Sequence, residues 1–221
     1  MNEFGVYNFS SFATCKFRDS VFPSHTPEFS YTFKPGAYAL SGQIDNGGWA
    51  FTYALTPRSI DDVCIYNTPK FIYDGKYESI DYIRSLSHYL GNYTNEPTCP
   101  ANFPAEQQFE PLLKSGKVEI PLEQVKERLG LTKERLSRPL NMTGNEVWRI
   151  TATIGLAMSK KIFCFPWMTN NQLKPLLYSI KKLSEILKEN QCILLLPVEN
   201  KDLVHDFVND SIDLSTPQIF R

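Results

Sequence analysis

Two glycines set five positions apart carry the first chemical signal in this chain. They lie in Gly42-Gln43-Ile44-Asp45-Asn46-Gly47-Gly48-Trp49, after the short apolar run Ala37 to Leu40 and before Trp49 to Leu55, which could open a helix. In the pattern G-x-x-x-x-G-K-[ST], backbone N–H groups cradle phosphate oxygens, the Lys neutralises their charge and the hydroxyl holds magnesium. Here Gly48 and Trp49 stand where the Lys and the Ser or Thr belong. The backbone frame is present, and the cation and the hydroxyl are missing. Asp45 adds a negative charge where a polyanion would sit. Taken alone, Asn46-Gly47 also reads as a plain turn.

Other chemistry is sparse. His25, His88 and His205 lie far apart with no ligand spacing, so no metal site is expected. The five cysteines, Cys15, Cys64, Cys99, Cys164 and Cys192, are odd in number and form no C-x-x-C pair, which fits a reducing compartment. No serine or cysteine sits in a nucleophile elbow. In Met142-Thr143-Gly144-Asn145-Glu146, Thr143 and Glu146 have the spacing of a capping box at a helix start. A net charge of -1 argues against a nucleic-acid partner held by charge. No apolar run approaches the roughly 20 residues of a membrane span, and Met1 to Gly5 has no signal-peptide pattern.

The elements that position these residues follow from periodicity. Phe29, Tyr31 and Phe33 alternate with polar residues and predict a strand, with Pro23 and Pro27 bracketing a turn. Short apolar strands are expected at Ala37 to Leu40, Asp62 to Tyr66, Ile162 to Phe165 and Cys192 to Leu196, the last two stopped by Pro166 and Pro197. Helices are expected at Tyr77 to Leu90, Leu122 to Leu129 with Gly130 as its stop, Gly144 to Ser159, and along the stripe Leu176 to Leu187. Asn92 to Pro111 is rich in proline, asparagine and glutamine and reads as an irregular insertion. Buried strands alternating with amphipathic helices imply an α/β fold with a mainly parallel central sheet. Ligands in such sheets sit beyond the carboxyl ends of the strands, where the glycine loop, Pro166 and Pro197 all fall.

The segment Leu136-Ser137-Arg138-Pro139-Leu140-Asn141-Met142-Thr143-Gly144-Asn145-Glu146-Val147-Trp148-Arg149-Ile150 resembles the signature region of ABC transporter ATP-binding subunits, L-S-G-G-E/Q-x-Q-R-V. The interval from Thr143 to Pro166 matches the family's spacing from the signature Ser to the Asp that ends the Walker B strand. Ile162 to Phe165 matches that strand, and Cys192 to Leu196 matches the strand before the switch histidine. The resemblance covers roughly Phe29 to Glu199. It implies a single P-loop NTPase-like domain over 1–221, with an N-terminal antiparallel β part and an irregular or helical subdomain at about 92–158.

On this resemblance Gly42, Asn46, Gly47, Gly48 and Trp49 form a degenerate phosphate loop. Pro166 takes the place of the magnesium-binding Asp, Trp167 that of the Glu that polarises water, and Val198 (or Pro197) that of the switch His. The Q-loop glutamine falls near Gly91 and Asn92, with Gln107 or Gln108 as displaced substitutes. Tyr7, Phe9, Phe12 and Phe17 are candidates for the aromatic that stacks on adenine. ATP and magnesium are the family's cofactors. With these groups replaced, the expectation is a pseudo-ATPase that is not itself an enzyme and holds neither. Its signature-like residues Thr143, Gly144, Asn145 and Glu146 would serve ATP held by an active partner subunit. The implied partners are a membrane subunit of an ABC transporter and a second ATP-binding subunit, at a cytoplasmic site peripheral to the membrane. The alternatives are an ABC ATPase with non-standard motifs, and an interaction protein that kept the fold and left transport.

Overall fold

The computed structural model describes residues 2–17, 20–56, 63–90, 102–114 and 120–215. The chain opens with a long hairpin of β1 (Phe4–Phe17) and β2 (Ser20–Phe33). It continues through β3 (Gly36–Ser41), α1 (Trp49–Ala54), β4 (Val63–Tyr66), β5 (Lys70–Tyr73) and β6 (Lys76–Glu78). Next come α2 (Ile80–Leu86), β7 (Ser87–Tyr89), α3 (Glu110–Lys114), α4 (Leu122–Arg128) and α5 (Lys133–Leu136). The last part holds α6 (Val147–Ala157), β8 (Ile162–Cys164), α7 (Asn170–Leu173), α8 (Leu177–Glu189), β9 (Ile193–Val198) and β10 (Asp210–Asp213).

Two sheets result. β2, β1, β5 and β6 form an antiparallel sheet, with β4 also paired to β1. β10, β3, β9, β8 and β7 form a second sheet in that order, with every pair parallel. The parallel strands β8 and β9 are buried along their whole length, as helices or a sheet cover both faces. One apolar core lies between the two sheets and encloses α1; a second lies between the parallel sheet and the helices α4, α6 and α8.

The antiparallel sheet shows how the sequence sets its buried face. Phe4 and Val6 point inward, and then the phase changes, so that Phe9, Ala13 and Cys15 are the buried residues. The pairing of β1 with β2 is irregular on both sides of Phe9, and Asn8 has φ of 54°. One extra residue resets the period of two and keeps the aromatics on one face. Phe51 of α1 meets both Phe9 and Phe29 edge-on, each at 4.9 Å between ring centroids. The helix after the glycine loop is thereby anchored in the antiparallel sheet.

Four local expectations are corrected. β2 runs straight through Pro23 and Pro27 rather than turning there. It is an edge strand, and alternate N–H groups of an edge need no partner. Tyr77 to Leu90 is not one helix. Ser79 caps α2 by accepting from the Tyr82 N–H at 3.1 Å, and after Leu86 the chain is drawn into β7 beside β8. Pro197 does not stop β9, which continues to Val198. Odd-numbered positions of β9 face β8: Ile193 N–H donates to Lys161 O, and Leu195 O accepts from Phe165 N–H. Pro197 therefore lacks its N–H only on the β8 side, past the last residue of that strand, while the even-numbered positions keep β9 on β3: Gly36 N–H donates to Cys192 O and Gly42 N–H to Val198 O. Asn92 to Pro111 is only partly described, since 91–101 lie outside the described residues. Within it, Ala105–Gln108 forms a 3-10 turn that buries Ala105 and leads into Phe109, also buried, and then α3.

Candidate functional site

The carboxyl ends of β3, β8, β9 and β7 meet at one edge of the parallel sheet, and the glycine loop leaves β3 there. Gly42 N–H donates to Val198 O at 3.0 Å, which joins the loop to the end of β9. Gln43 and Asn46 then close a turn: Gln43 N–H donates to Asn46 Oδ1 at 3.1 Å, and Asn46 N–H to Gln43 O at 3.3 Å. The chain crosses itself so closely that a Cβ on Gly42 would lie 2.7 Å from Gly47 Cα. A Cβ on Gly48 would lie 2.3 Å from Leu40 Cβ. Both positions therefore demand glycine for space. Asp45 is exposed, so its charge is screened by water, while its carbonyl accepts from His25 N–H at 2.7 Å.

Thr26, a buried residue of β2, staples this loop to the helix. Its hydroxyl donates to Gly47 O at 3.0 Å and accepts from Phe51 N–H at 2.9 Å. The N–H groups of Gly47 and Gly48, both buried residues, meet no acceptor among the described residues. Such orphaned donors fit the oxygens of a phosphate group. The side chains beside them do not fit magnesium. Pro166, Trp167 and Val198 bring no carboxylate or imidazole, and Trp49 brings no hydroxyl.

Two indoles fill the crevice. Trp49 is 1% exposed, and its Nε1–H donates to the Tyr89 hydroxyl at 2.9 Å. Trp167 is 8% exposed, and its Nε1–H donates to Gly42 O at 2.9 Å. Thr52 Oγ1 donates to Trp49 O at 3.0 Å and also lies 3.4 Å from Phe165 O. Trp167 and Val198 thus both hydrogen-bond to Gly42, and Met168 bridges Val198 in parallel. Sequence reading missed Glu199, the next residue. Its Oε2 accepts from Asn170 N–H at 2.9 Å and holds the start of α7 against the end of β9. It also missed Thr26 and Tyr89, whose roles depend on contacts across the fold. No signal local to them in the chain could have revealed those contacts.

The signature-like residues lie apart from this crevice, at the entry to α6. Gly144 is exposed, has φ of +58°, and a Cβ there would meet nothing within 4 Å. The capping box expected of Thr143 and Glu146 does not form, because Gly144 to Glu146 is a 3-10 turn without a side-chain cap. The Thr143 hydroxyl instead donates back to Leu140 O at 2.8 Å. Glu146 Oε1 is shared between Arg135 Nε at 3.1 Å and an Arg149 terminal nitrogen at 3.4 Å. Of the stacking candidates, Phe9 is core, while Tyr7 and Phe12 are half-buried. Gln108 is buried, Gln107 is half-buried, and Gly91 and Asn92 lie outside the described residues. Among the described residues no His, Cys, Asp and Glu cluster could hold a metal, and no helix is long and apolar enough to cross a membrane.

No family model and no curated protein matches the chain. Solved structures do. A putative ABC transporter ATP-binding protein from Pyrococcus furiosus superposes with a TM-score of 0.62 at 14% identity, covering 97% of this chain and 100% of that one. CbiO1 from Clostridium perfringens, described as part of the ABC transporter complex cbiONQ, gives a TM-score of 0.62 at 14% identity, covering 96% of this chain and 84% of its own. At this identity the likeness shows the fold, and it is the fold of ABC transporter ATP-binding proteins. The expectation that the chain is not an enzyme is thereby corrected. The Pyrococcus furiosus chain that shares its architecture is described as an ATP-binding protein, and replaced motif residues do not show a lack of activity.

Proposed function

We propose that this chain is an ABC-type ATP-binding subunit that works in a transport complex, paired with a second ATP-binding subunit and carried by a membrane subunit. The observation that carries this reading is positional. The fold covers an ABC ATP-binding protein end to end, and on the resemblance the glycine loop, the Gly144 turn and the ends of β8 and β9 follow the order of that family's motifs. ATP turnover then belongs to the pair. The departures at Gly48, Trp49, Pro166, Trp167 and Val198 make this chain's own loop the degenerate half, where backbone N–H groups of Gly47 and Gly48 are what remains to hold phosphate. The open backbone at Gly144 supports a role at the partner's nucleotide. Thr143 and Glu146 are already engaged within the chain, so Gly144 and its exposed surroundings would make that contact.

The test is recovery of the complex from its native cell, followed by ATP hydrolysis by the recovered assembly. The reading expects a membrane subunit and a second ATP-binding subunit, with turnover reduced by Gly144→Trp in this chain. Recovery of neither partner refutes it. A second reading, a complete ATPase in the single chain with non-standard groups, draws on the orphaned donors at Gly47 and Gly48. It predicts turnover by the purified chain alone, lost in Gly47→Ala, whose Cβ would lie 2.7 Å from Gln43 O.

A further inference from the structure

Gly144 is the tip of a short turn, and a side chain added there would meet nothing within 4 Å. Its N–H finds no acceptor among the described residues. The tip is therefore placed only through its two flanks. On one side Thr143 is buried and bonds back to Leu140, whose own N–H donates to Phe103 O at 3.2 Å. On the other side stands Glu146, whose N–H donates to Thr143 O at 3.1 Å and closes the turn.

The Glu146 side chain is mostly buried between two arginines. Its Oε1 lies 3.1 Å from Arg135 Nε and 3.4 Å from a terminal nitrogen of Arg149. The same two guanidinium groups donate to successive carbonyls just past α4. Arg149 holds Leu129 O and Arg135 holds Gly130 O, each at 3.0 Å. Two cations thus answer one carboxylate and the negative end of a helix. Arg149 Nε–H and Glu146 Oε2 are buried without partners, so the cluster is not arranged for the greatest number of bonds. Buried ion clusters often add little stability over apolar packing of the same volume. What this one does is join three elements, α4, α5 and α6, at a point two residues from the tip.

We propose, resting on the pairing of subunits set out above, that Glu146 is a positioning residue for Gly144. Through Arg135 and Arg149 it fastens the turn to the carboxyl end of α4. The bare Gly144 backbone is thereby held in the one orientation in which it meets the second subunit's nucleotide. The position needs a carboxylate, because one oxygen must accept from two guanidinium groups at once. An amide there has an uncharged oxygen and brings further donors to a cluster already short of an acceptor.

The experiment reads Glu146→Gln twice. In the chain alone, amide hydrogen exchange follows Glu146 and Val147, whose N–H groups close the turn onto Thr143 O and Gly144 O. Their exchange should quicken about tenfold or more, the loss of one charge-assisted contact. Arg135→Gln removes a more exposed partner, should act in the same direction and less, and serves if Glu146→Gln does not fold. In the recovered assembly, Glu146→Gln should keep both partners bound and lower kcat/KM for ATP about ten- to hundredfold, as a misplaced contact does. Tyr31→Phe is the control for general stability. It removes the bond to Asp210 at 2.6 Å, on β2 and away from α4, α5 and α6, and should leave turnover and the two amides unchanged. Unaltered exchange, unaltered turnover in Glu146→Gln, or an equal fall in Tyr31→Phe overturns the proposal. If Gly144→Trp lowers turnover and Glu146→Gln does not, the positioning role fails and the pairing stands; recovery of neither partner overturns both.

Discussion

Trp167 is the strut of the crevice, and replacing it tests how the loop is held. The ring is 8% exposed and sits between the end of β8 and the loop after β3, while its Nε1–H holds Gly42 O at 2.9 Å. Trp167→Ala removes a nearly buried indole, which costs about 3–5 kcal/mol in transfer and cavity terms. Trp167→Phe keeps much of the apolar contact but removes the donor. Gly42 is buried, so its carbonyl then loses a partner, at a cost of about 1–3 kcal/mol. The two variants should therefore be graded, with Phe clearly milder than Ala. Urea unfolding followed by circular dichroism reads both, at unchanged slope with denaturant. A cost below about 1 kcal/mol for Trp167→Ala would mean that the indole is surface dressing rather than a strut. Equal costs for Phe and Ala would place the whole effect in the hydrogen bond and refute the packing argument.

Further predictions concern the core and the turns. His88 is buried, and burial together with Lys160 lowers its pKa from 6.5 to about 4, with Nε2 left unpartnered. As pH falls from 6.5 towards 4 the unfolded chain takes up a proton that the folded chain refuses, so about 3 kcal/mol of stability drains away and then levels off. His88→Leu should flatten that slope in urea titrations run across the interval, and an unaltered slope would exclude His88 as its source. Gly48→Ala should cost about 1–3 kcal/mol through overlap with Leu40, whereas Gly144→Ala should cost about 1–2 kcal/mol through its left-handed backbone alone. Only the first should be relieved by Leu40→Gly, which removes the Cβ that the new methyl would meet, measured as a double-mutant cycle. Cys64 is exposed, while Cys192 is buried with its thiol pushed up to about 12. A thiol reagent at neutral pH should modify Cys64 and leave Cys192 unreacted until the chain unfolds, as mass spectrometry of the labelled peptides can show.

Much of the parallel sheet was legible because its strands are continuous apolar runs bounded by glycine or proline. Ala37 to Leu40, Ile162 to Phe165 and Cys192 to Leu196 all proved to be strands, joined by the amphipathic helix whose stripe runs through Ile180, Leu183 and Leu187. What escaped was decided by neighbours. Pro197 reads as a stop in any window of sequence, yet β9 continues to Val198 because its even-numbered positions stay paired with β3. Ser87-His88-Tyr89 continues a helical pattern, and the chain leaves it because a parallel partner waits at Ile162 to Cys164. β10 has two aspartates in four residues and gives no apolar signal; its place beside β3 comes from the parallel ladder with Tyr38 to Ser41.

The site was legible in its positions and illegible in its contacts, and the two tryptophans show why. From the chain alone, Trp49 and Trp167 are substitutions, each marking a chemical group that is missing. In the fold they are positive features. Each indole is buried and directs its one N–H to a chosen acceptor, Tyr89 for Trp49 and Gly42 for Trp167. A buried indole N–H without a partner costs about 1–3 kcal/mol, and the acceptors at Tyr89 and Gly42 remove that cost for these two. Trp148, buried with its Nε1 unpartnered, shows that this chain tolerates that cost elsewhere. The loop is therefore braced by aromatic hydrogen bonds where the resemblance would place a lysine and magnesium. Any phosphate held there must use the backbone donors that this bracing leaves uncovered, those of Gly47 and Gly48.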